Sequence, residues 1–239
     1  FAALMGEENK ALSLEDALLA LDKAAKNENI IGVYLEGGAM GANPGMAQEL
    51  RQALVEFKES GKWVVAYGDS YGKTAYYLSS VADSVLLNPE GNVDFGGMAS
   101  QIMFYKDVME KVGVKMQVFK VGTYKSAVEP FICTEMSPAN REQVTSYLFS
   151  IWTNMLKDVA ASRNMEVGKL NSLADSLTMI SEASVALNGG LVDKLCYMDG
   201  VKAILREKSG IEDEDDDLVF VSVADVAKSE TLDEKVDEQ

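Results

Sequence analysis

Short apolar runs alternate with amphipathic helical segments along much of the chain, and this alternation constrains the fold more than any other feature. Residues 30–35, 62–67 and 84–87 are apolar runs of strand length, typical of buried strands. Between the first two runs, residues 46–60 carry apolar side chains at helical spacing and end at Gly61. Strands that alternate with helices pair in parallel through right-handed crossovers, so the sequence predicts an α/β protein.

The middle of the chain continues with further predicted elements. A helix is expected over residues 101–111 and a strand over residues 115–121. A long helix is predicted over residues 138–163, because Pro138 suits the first helical position and cannot continue a preceding one.

The end of the chain differs in composition. Six consecutive acidic residues occupy positions 212–217, and strand-like residues 218–223 follow them. A solvated linker is the favoured interpretation of such a run, and a calcium site is the alternative, although the ordered loop spacing with a glycine at the turn is missing. We therefore expect one folded domain over residues 1–210, and over residues 211–239 an acidic linker with one strand that leads to a missing second domain.

The absence of histidine limits the chemistry available to this chain of 239 residues. Ser-His-Asp and Cys-His catalysis are excluded, so a general base must be lysine, a carboxylate, tyrosine or a terminus.

The net charge of −16 argues against nucleic acid as a partner. Two distant cysteines, Cys133 and Cys196, supply too few ligands for zinc, so we predict no metal and no cofactor.

Three catalytic motifs overlap in the loop after the second predicted strand. Gly68, Ser70 and Gly72 have the spacing of a nucleophile elbow, which needs a histidine that the chain lacks. A phosphate-binding loop has four residues between its glycines, whereas Gly68 and Gly72 enclose three. Ser70 and Lys73 match the S-x-x-K of penicillin-binding enzymes without its companion motifs. A structural turn is the favoured interpretation, and nucleotide binding stays open as an alternative.

Lys125 lies in a more suggestive setting, an apolar and aromatic stretch just beyond the predicted strand 115–121. Burial disfavours a charged ammonium and lowers the pKa of a lysine, which makes it a usable base near neutral pH. Because most lysines at strand ends are simply exposed, the pattern alone makes Lys125 a candidate base and nothing more.

Residues 122–131 (GTYKSAVEPF), followed by Met136-Ser137-Pro138, resemble the amino-terminal domain of the long, two-domain signal peptide peptidases of the SppA (protease IV) family. The likeness extends from about Ser13 to the end of the chain. It also includes the segments Ser60-Gly61-Lys62, Tyr76-Tyr77-Leu78, Asn88-Pro89-Glu90-Gly91 and the Gly189, Leu191, Val192 and Asp193 positions.

The resemblance implies a ClpP/crotonase-like fold, a spiral of β-β-α units, and a serine peptidase that uses a Ser–Lys dyad. In the long members the lysine base belongs to the amino-terminal domain and the serine nucleophile to a homologous carboxy-terminal domain. Lys125 matches that base. Alignment on Tyr76 and Tyr77 places Lys73 where single-domain relatives have their nucleophile. The chain is therefore expected to supply half of an active site and to be inactive alone.

The resemblance also implies partners and a location. The expected substrates are cleaved signal peptides or other apolar peptides, and the expected partners are the carboxy-terminal domain and further copies in a homo-oligomer. The chain is expected to be a fragment whose inner-membrane anchor and first strand are missing, with its domain on the periplasmic side. The Gly37-Gly38 loop is interpreted as structural, and Ser126 and Glu129 are left without an assigned role in orienting Lys125.

Two other functions remain open at this point. One is a domain without chemistry that assembles subunits or presents substrate. The other is a crotonase-type acyl-CoA enzyme built on the same fold.

Overall fold

The computed structural model describes residues 12–38, 40–176, 178–211 and 217–229. These residues divide into two units. The first unit holds the described residues up to Gly96 and from Val159 onward, and the second unit holds Gly97–Asp158. Within the described ranges, no helix has the length and apolar character needed to cross a membrane.

The elements follow one another in the alternating order that the sequence predicts. The strands are β1 (Gly32–Glu36), β2 (Trp63–Gly68), β3 (Ser84–Leu87) and β4 (Lys194–Leu195). The helices are α1 (Leu14–Lys26), α2 (Pro44–Glu59), α3 (Lys73–Ser79), α4 (Lys106–Lys111), α5 (Glu129–Ile132), α6 (Pro138–Arg163), α7 (Val167–Asp175), α8 (Ala183–Gly189), α9 (Met198–Ser209) and α10 (Val223–Lys228).

A four-stranded parallel sheet forms the centre of the first unit. Its strands lie in the order β1-β2-β3-β4, with Val65 of β2 opposite Tyr34 on one side and Ser84 on the other. Val64, Val65 and Ala66 are fully buried, because β2 is an inner strand flanked on both sides. The mixed α/β class with parallel strands is therefore confirmed.

Local signals in the sequence set where the helices begin. Ser13 precedes α1 and accepts a hydrogen bond from the Asp16 amide at 3.0 Å, which is the usual contact of a serine at the N-cap position. Asn43 does the same for α2, accepting from the Met46 amide at 3.0 Å. The long helix α6 begins at Pro138, which confirms the prediction of a helix over residues 138–163.

Two predicted strands and part of one helix are not formed. Residues 115–121 lie outside any strand, and α4 covers only Lys106–Lys111 of the helix expected over residues 101–111. Residues 217–222 are also outside any strand, and α10 begins at Val223. A run of strand-like residues forms a strand only where a neighbouring strand takes up its backbone hydrogen bonds. Positions 212–216 of the acidic run fall outside the described residues, so the boundary near residue 210 stays a prediction.

Strand β1 lies at the edge of the sheet, beside a cavity of about 350 Å³ that residues 217–221 also line. Two buried polar atoms there, Tyr34 Oη and Trp63 Nε1, have no hydrogen-bond partner among the described residues. Burial raises the pKa of Tyr34 to about 12, so its hydroxyl stays neutral. The centre of the Phe220 ring lies 6.0 Å from that of the Tyr34 ring, so the tyrosine side chain packs against this residue.

We expect the Tyr34→Phe substitution to leave the free energy of unfolding unchanged or to raise it by up to about 1 kcal/mol, because it removes an unpaired buried hydroxyl. Tyr71→Phe is the matched control: the Tyr71 hydroxyl donates to the Leu86 carbonyl at 2.9 Å. Its loss should cost about 1 kcal/mol or more. Urea denaturation of both variants and the wild type checks the pair, and an equal loss in both would contradict the prediction.

Candidate active site

Because the strands are parallel, the loops that follow β1 and β2 meet at the same end of the sheet, the end formed by the carboxyl ends of the strands. The Gly37 amide donates to the Tyr67 carbonyl at 2.6 Å, and the Gly72 amide donates to the Gly38 carbonyl at 3.2 Å. Gly37 is required by space, because a Cβ atom there would lie 2.6 Å from the Tyr71 ring. Gly38 is required by conformation, with φ at +146°. These contacts support a structural interpretation of the Gly37-Gly38 loop.

The loop that carries the overlapping motifs is a turn leading into α3. Ser70 is exposed in this turn, and the half-buried Lys73 is the first residue of the helix. Behind them Tyr71 and Tyr76 are buried, and the Tyr76 hydroxyl donates to the Leu191 carbonyl at 2.8 Å. The buried tyrosine rings and this hydrogen bond support the prediction of a structural turn. The chain has no histidine for a nucleophile elbow.

A small polar cluster that sequence reasoning missed lies beside this turn. The Tyr67 hydroxyl and the Asn88 side-chain amide both donate to Asp69 Oδ1, each at 2.9 Å. These two hydrogen bonds lower the pKa of Asp69, and the bond from Asn88 has the larger effect. Asp69 is therefore an ionised acceptor that holds the end of β2 to the residue after β3. Polar residues directly after two neighbouring strands were the signal that could have revealed it.

In the second unit, Lys125 lies in a turn after Gly122, whose φ of +103° favours glycine. The Lys125 side chain is exposed. Phe119 and Val121, two apolar residues of the stretch before it, are 96% and 91% exposed. The apolar stretch before Lys125 therefore does not bury this lysine within the chain. The reason is that residues 115–121 form no strand and, apart from the half-buried Val118, are exposed.

Four residues after Lys125, the carboxylate of Glu129 is buried, with 2% of the residue exposed. The Ser137 hydroxyl donates to Glu129 Oε1 at 2.6 Å. The Ser137 amide and the Asn140 side-chain amide donate to Oε2 at 3.2 and 2.9 Å. The hydroxyl of Ser137, followed by the other donors, lowers the pKa of Glu129 against the opposing effect of burial. Glu129 thus binds the start of α6 as an ionised group.

The turn itself is hydrogen-bonded to the same region. The Glu129 amide donates to the Ser126 carbonyl at 2.9 Å. The Tyr124 hydroxyl donates to Glu142 Oε2 at 3.1 Å, and the Ser126 hydroxyl donates to Gln143 Oε1 at 3.4 Å. The structure therefore brings Ser126 and Glu129, which the sequence had left without a role, together with the first two turns of α6.

We expect the Glu129→Gln substitution to lower the free energy of unfolding by about 1–2 kcal/mol at neutral pH, because it weakens a buried, charge-assisted network. The folded-state pKa of Glu129 is depressed, so its stabilisation is complete above the unfolded pKa and is lost as pH falls through the folded pKa. The difference between variant and wild type should therefore shrink below about pH 4.

Denaturant unfolding at a series of pH values measures this difference. Glu142→Gln is the control, because Glu142 is an exposed acceptor on the same helix. Its effect should be within about 0.5 kcal/mol of zero. A pH-independent difference for Glu129→Gln would contradict an ionised Glu129.

Comparison with known proteins places the chain in a family. Residues 56–212 match the model of peptidase family S49. The chain is 38% identical over 205 residues to Protease 4 of Salmonella typhi, a match that covers 83% of this chain and 33% of that protein. It is 33% identical over 162 residues to Protease 4 of Haemophilus influenzae, covering 67% of this chain and 26% of that protein.

A plant relative gives the same result. The chain is 29% identical over 204 residues to the chloroplastic serine protease SPPA of Arabidopsis thaliana, which covers 85% of this chain and 30% of that protein. The matched region thus spans about a third or less of the length of these relatives. Members of the matched family have the ClpP/crotonase-like fold, in agreement with the α/β class and the parallel sheet described above. The chain belongs to peptidase family S49.

Proposed function

We propose that this chain supplies the general base of a serine peptidase with a Ser–Lys dyad, and that Lys125 is that base. The nucleophilic serine would lie in a second domain outside these 239 residues. The observation that carries the proposal is the Lys125 motif in an S49 chain that has no histidine and has Lys73, not serine, at the position of the single-domain nucleophile. The length of the relatives, about three times the matched region, leaves room for such a domain.

In the proposed reaction, neutral Lys125 accepts the proton of the serine hydroxyl as the serine oxygen attacks a peptide carbonyl. The proton then passes to the leaving amine as the peptide bond breaks, and an acyl-enzyme remains. Water then attacks the ester as the same lysine takes up its proton, and the lysine returns that proton to the serine oxygen as the ester bond breaks and the second product leaves. Backbone amides of the serine's own domain would stabilise the oxyanion.

The exposure of Lys125 fits a base completed by a partner domain. A lysine works as a base near neutral pH when it is desolvated, and an exposed turn does not desolvate it. Docking of the second domain over the turn would bury Lys125 together with the exposed side chains of Phe119 and Val121. This chain alone is then inactive because both the nucleophile and the desolvation come from outside it.

The proposal extends to substrates, assembly and location on the strength of the resemblance. The substrates would be cleaved signal peptides or other apolar peptides, acted on by a homo-oligomer at the periplasmic face of the inner membrane through an anchor outside this chain. Exposed apolar side chains before Lys125, such as Met103 at 64%, offer a surface for such contacts. Membership of S49 favours this function over an acyl-CoA enzyme. A domain without chemistry is the alternative that the experiment below tests.

We expect this chain, mixed with the separately expressed carboxy-terminal half of its complete polypeptide, to restore peptide hydrolysis. The Lys125→Ala chain should restore at least 100-fold less activity, because general-base catalysis contributes about 10²–10⁴ in rate. Hydrolysis of a fluorogenic apolar peptide measures both.

Lys157→Ala is the matched control, since Lys157 is another exposed lysine of the same unit and lies on α6, away from the turn of Lys125 in sequence. It should retain activity within about threefold, as expected for a surface change that removes no catalytic group. Wild-type turnover in the Lys125→Ala mixture would overturn the assignment and leave the non-catalytic alternative.

A further inference from the structure

The turn that carries Lys125 is held to helix α6, and Glu129 makes the buried part of that attachment. We propose that Glu129 is a positioning residue that fixes the direction in which the Lys125 amine is presented. This inference rests on the proposed function of Lys125 as the base and adds a residue through which that base acts.

The buried carboxylate is the first step of the argument. Burying an ionised group is costly unless hydrogen bonds replace its water, and a well-packed apolar side chain is often at least as stabilising. Both oxygens of Glu129 are satisfied by groups at the start of α6, the Ser137 hydroxyl and amide and the Asn140 side chain. The helix N-terminus adds a favourable dipole. Such a network specifies one geometry, which an apolar contact of the same size would not.

The second step links this geometry to Lys125 through the backbone. Glu129 is the first residue of α5, and its amide donates to the carbonyl of Ser126, the residue directly after Lys125. The Lys125 amide in turn donates to the Gly122 carbonyl at 3.4 Å. A lysine side chain is flexible along its four carbons, so the position and orientation of its backbone set the region that the amine can reach.

The residues on either side of Lys125 provide further attachments. Tyr124 donates to Glu142 and Ser126 donates to Gln143, both on the second turn of α6. These contacts are exposed and therefore weak. Glu129 is the buried anchor, and the exposed contacts limit rotation of the turn about it.

This attachment explains a feature of the sequence. Residues 122–131 and Met136-Ser137-Pro138 form the two segments of the motif on which the resemblance rests. In the structure they are joined by the 2.6 Å hydrogen bond from Ser137 to Glu129. The serine binds the residue that follows the lysine turn, and Pro138 begins the helix to which the turn is held. The two segments act as one structural unit around Lys125.

The test compares variants of the complete polypeptide that carries this chain, by kcat, KM and the pH dependence of peptide hydrolysis. Glu129→Gln should lower kcat per folded molecule by tenfold to a hundredfold with KM within twofold, because a displacement of about 1 Å at a reacting group costs about 10² in rate. It should also shift the apparent pKa of the base in the pH dependence of kcat, because the Lys125 amine is then in a different environment. Ser137→Ala should act in the same direction, and Ser137→Thr, which keeps the hydroxyl, should restore activity.

Two controls separate positioning from stability and from the proposed function. Asp193→Asn weakens the Arg163–Asp193 ion pair of the first unit, where Nη2 and Oδ1 lie 2.6 Å apart, and should lower Tm without changing kcat. An equal loss of kcat in Asp193→Asn would attribute the effect to destabilisation and overturn the inference. Lys125→Ala tests the proposed function: if it retains activity, that function fails first.

If Lys125→Ala is inactive while Glu129→Gln keeps the wild-type kcat and pH profile, the positioning role alone is wrong. Should Glu129→Gln fail to fold, the Ser137 pair decides. Lower kcat for Ser137→Ala than for Ser137→Thr supports the inference, and equal values overturn it.

Discussion

The hydrogen bonds that satisfy the buried carboxylate of Glu129 are the interaction on which the second unit depends. Much of the segment that precedes it exposes its apolar side chains, as at Met103, Phe119 and Val121. Apolar burial there does little to fix the path of the chain. The carboxylate must find donors once it is buried, and Ser137 and Asn140 supply them at the first turn of α6. The turn of Lys125 is held in place as a result.

Parallel strand pairing has the corresponding role in the first unit. It brings the loops after β1 and β2 together, where they are closed by amide-to-carbonyl bonds and by the buried rings of Tyr71 and Tyr76. The hydroxyls of both tyrosines donate hydrogen bonds to backbone carbonyls. Carbonyls removed from water need such donors. The turn that resembles a nucleophile elbow, residues 68–72, is therefore held by packing and backbone contacts. Helix α3 begins directly after it, at Lys73.

The two units have different roles in the proposed peptidase. The first unit has a parallel sheet, as expected of an S49 peptidase, and the second carries Lys125 on a turn that is hydrogen-bonded to α6. A Ser–Lys dyad needs a lysine that is oriented and desolvated. We propose that this chain supplies the orientation, and that a second domain brings the serine and the exclusion of water.

The sequence by itself determined β1 to β3, the start of α6 at Pro138, the exclusion of histidine chemistry and the motif around Lys125. Each of these follows from spacing, from caps or from residue types that are close along the chain. Only the tertiary structure decided that residues 115–121 and 217–222 form no strand, because pairing depends on a neighbour that composition does not specify. It also decided that Lys125 is exposed and that Glu129 binds Ser137 and Asn140. Burial and hydrogen-bond partners are properties of the packed chain, so no local pattern contains them.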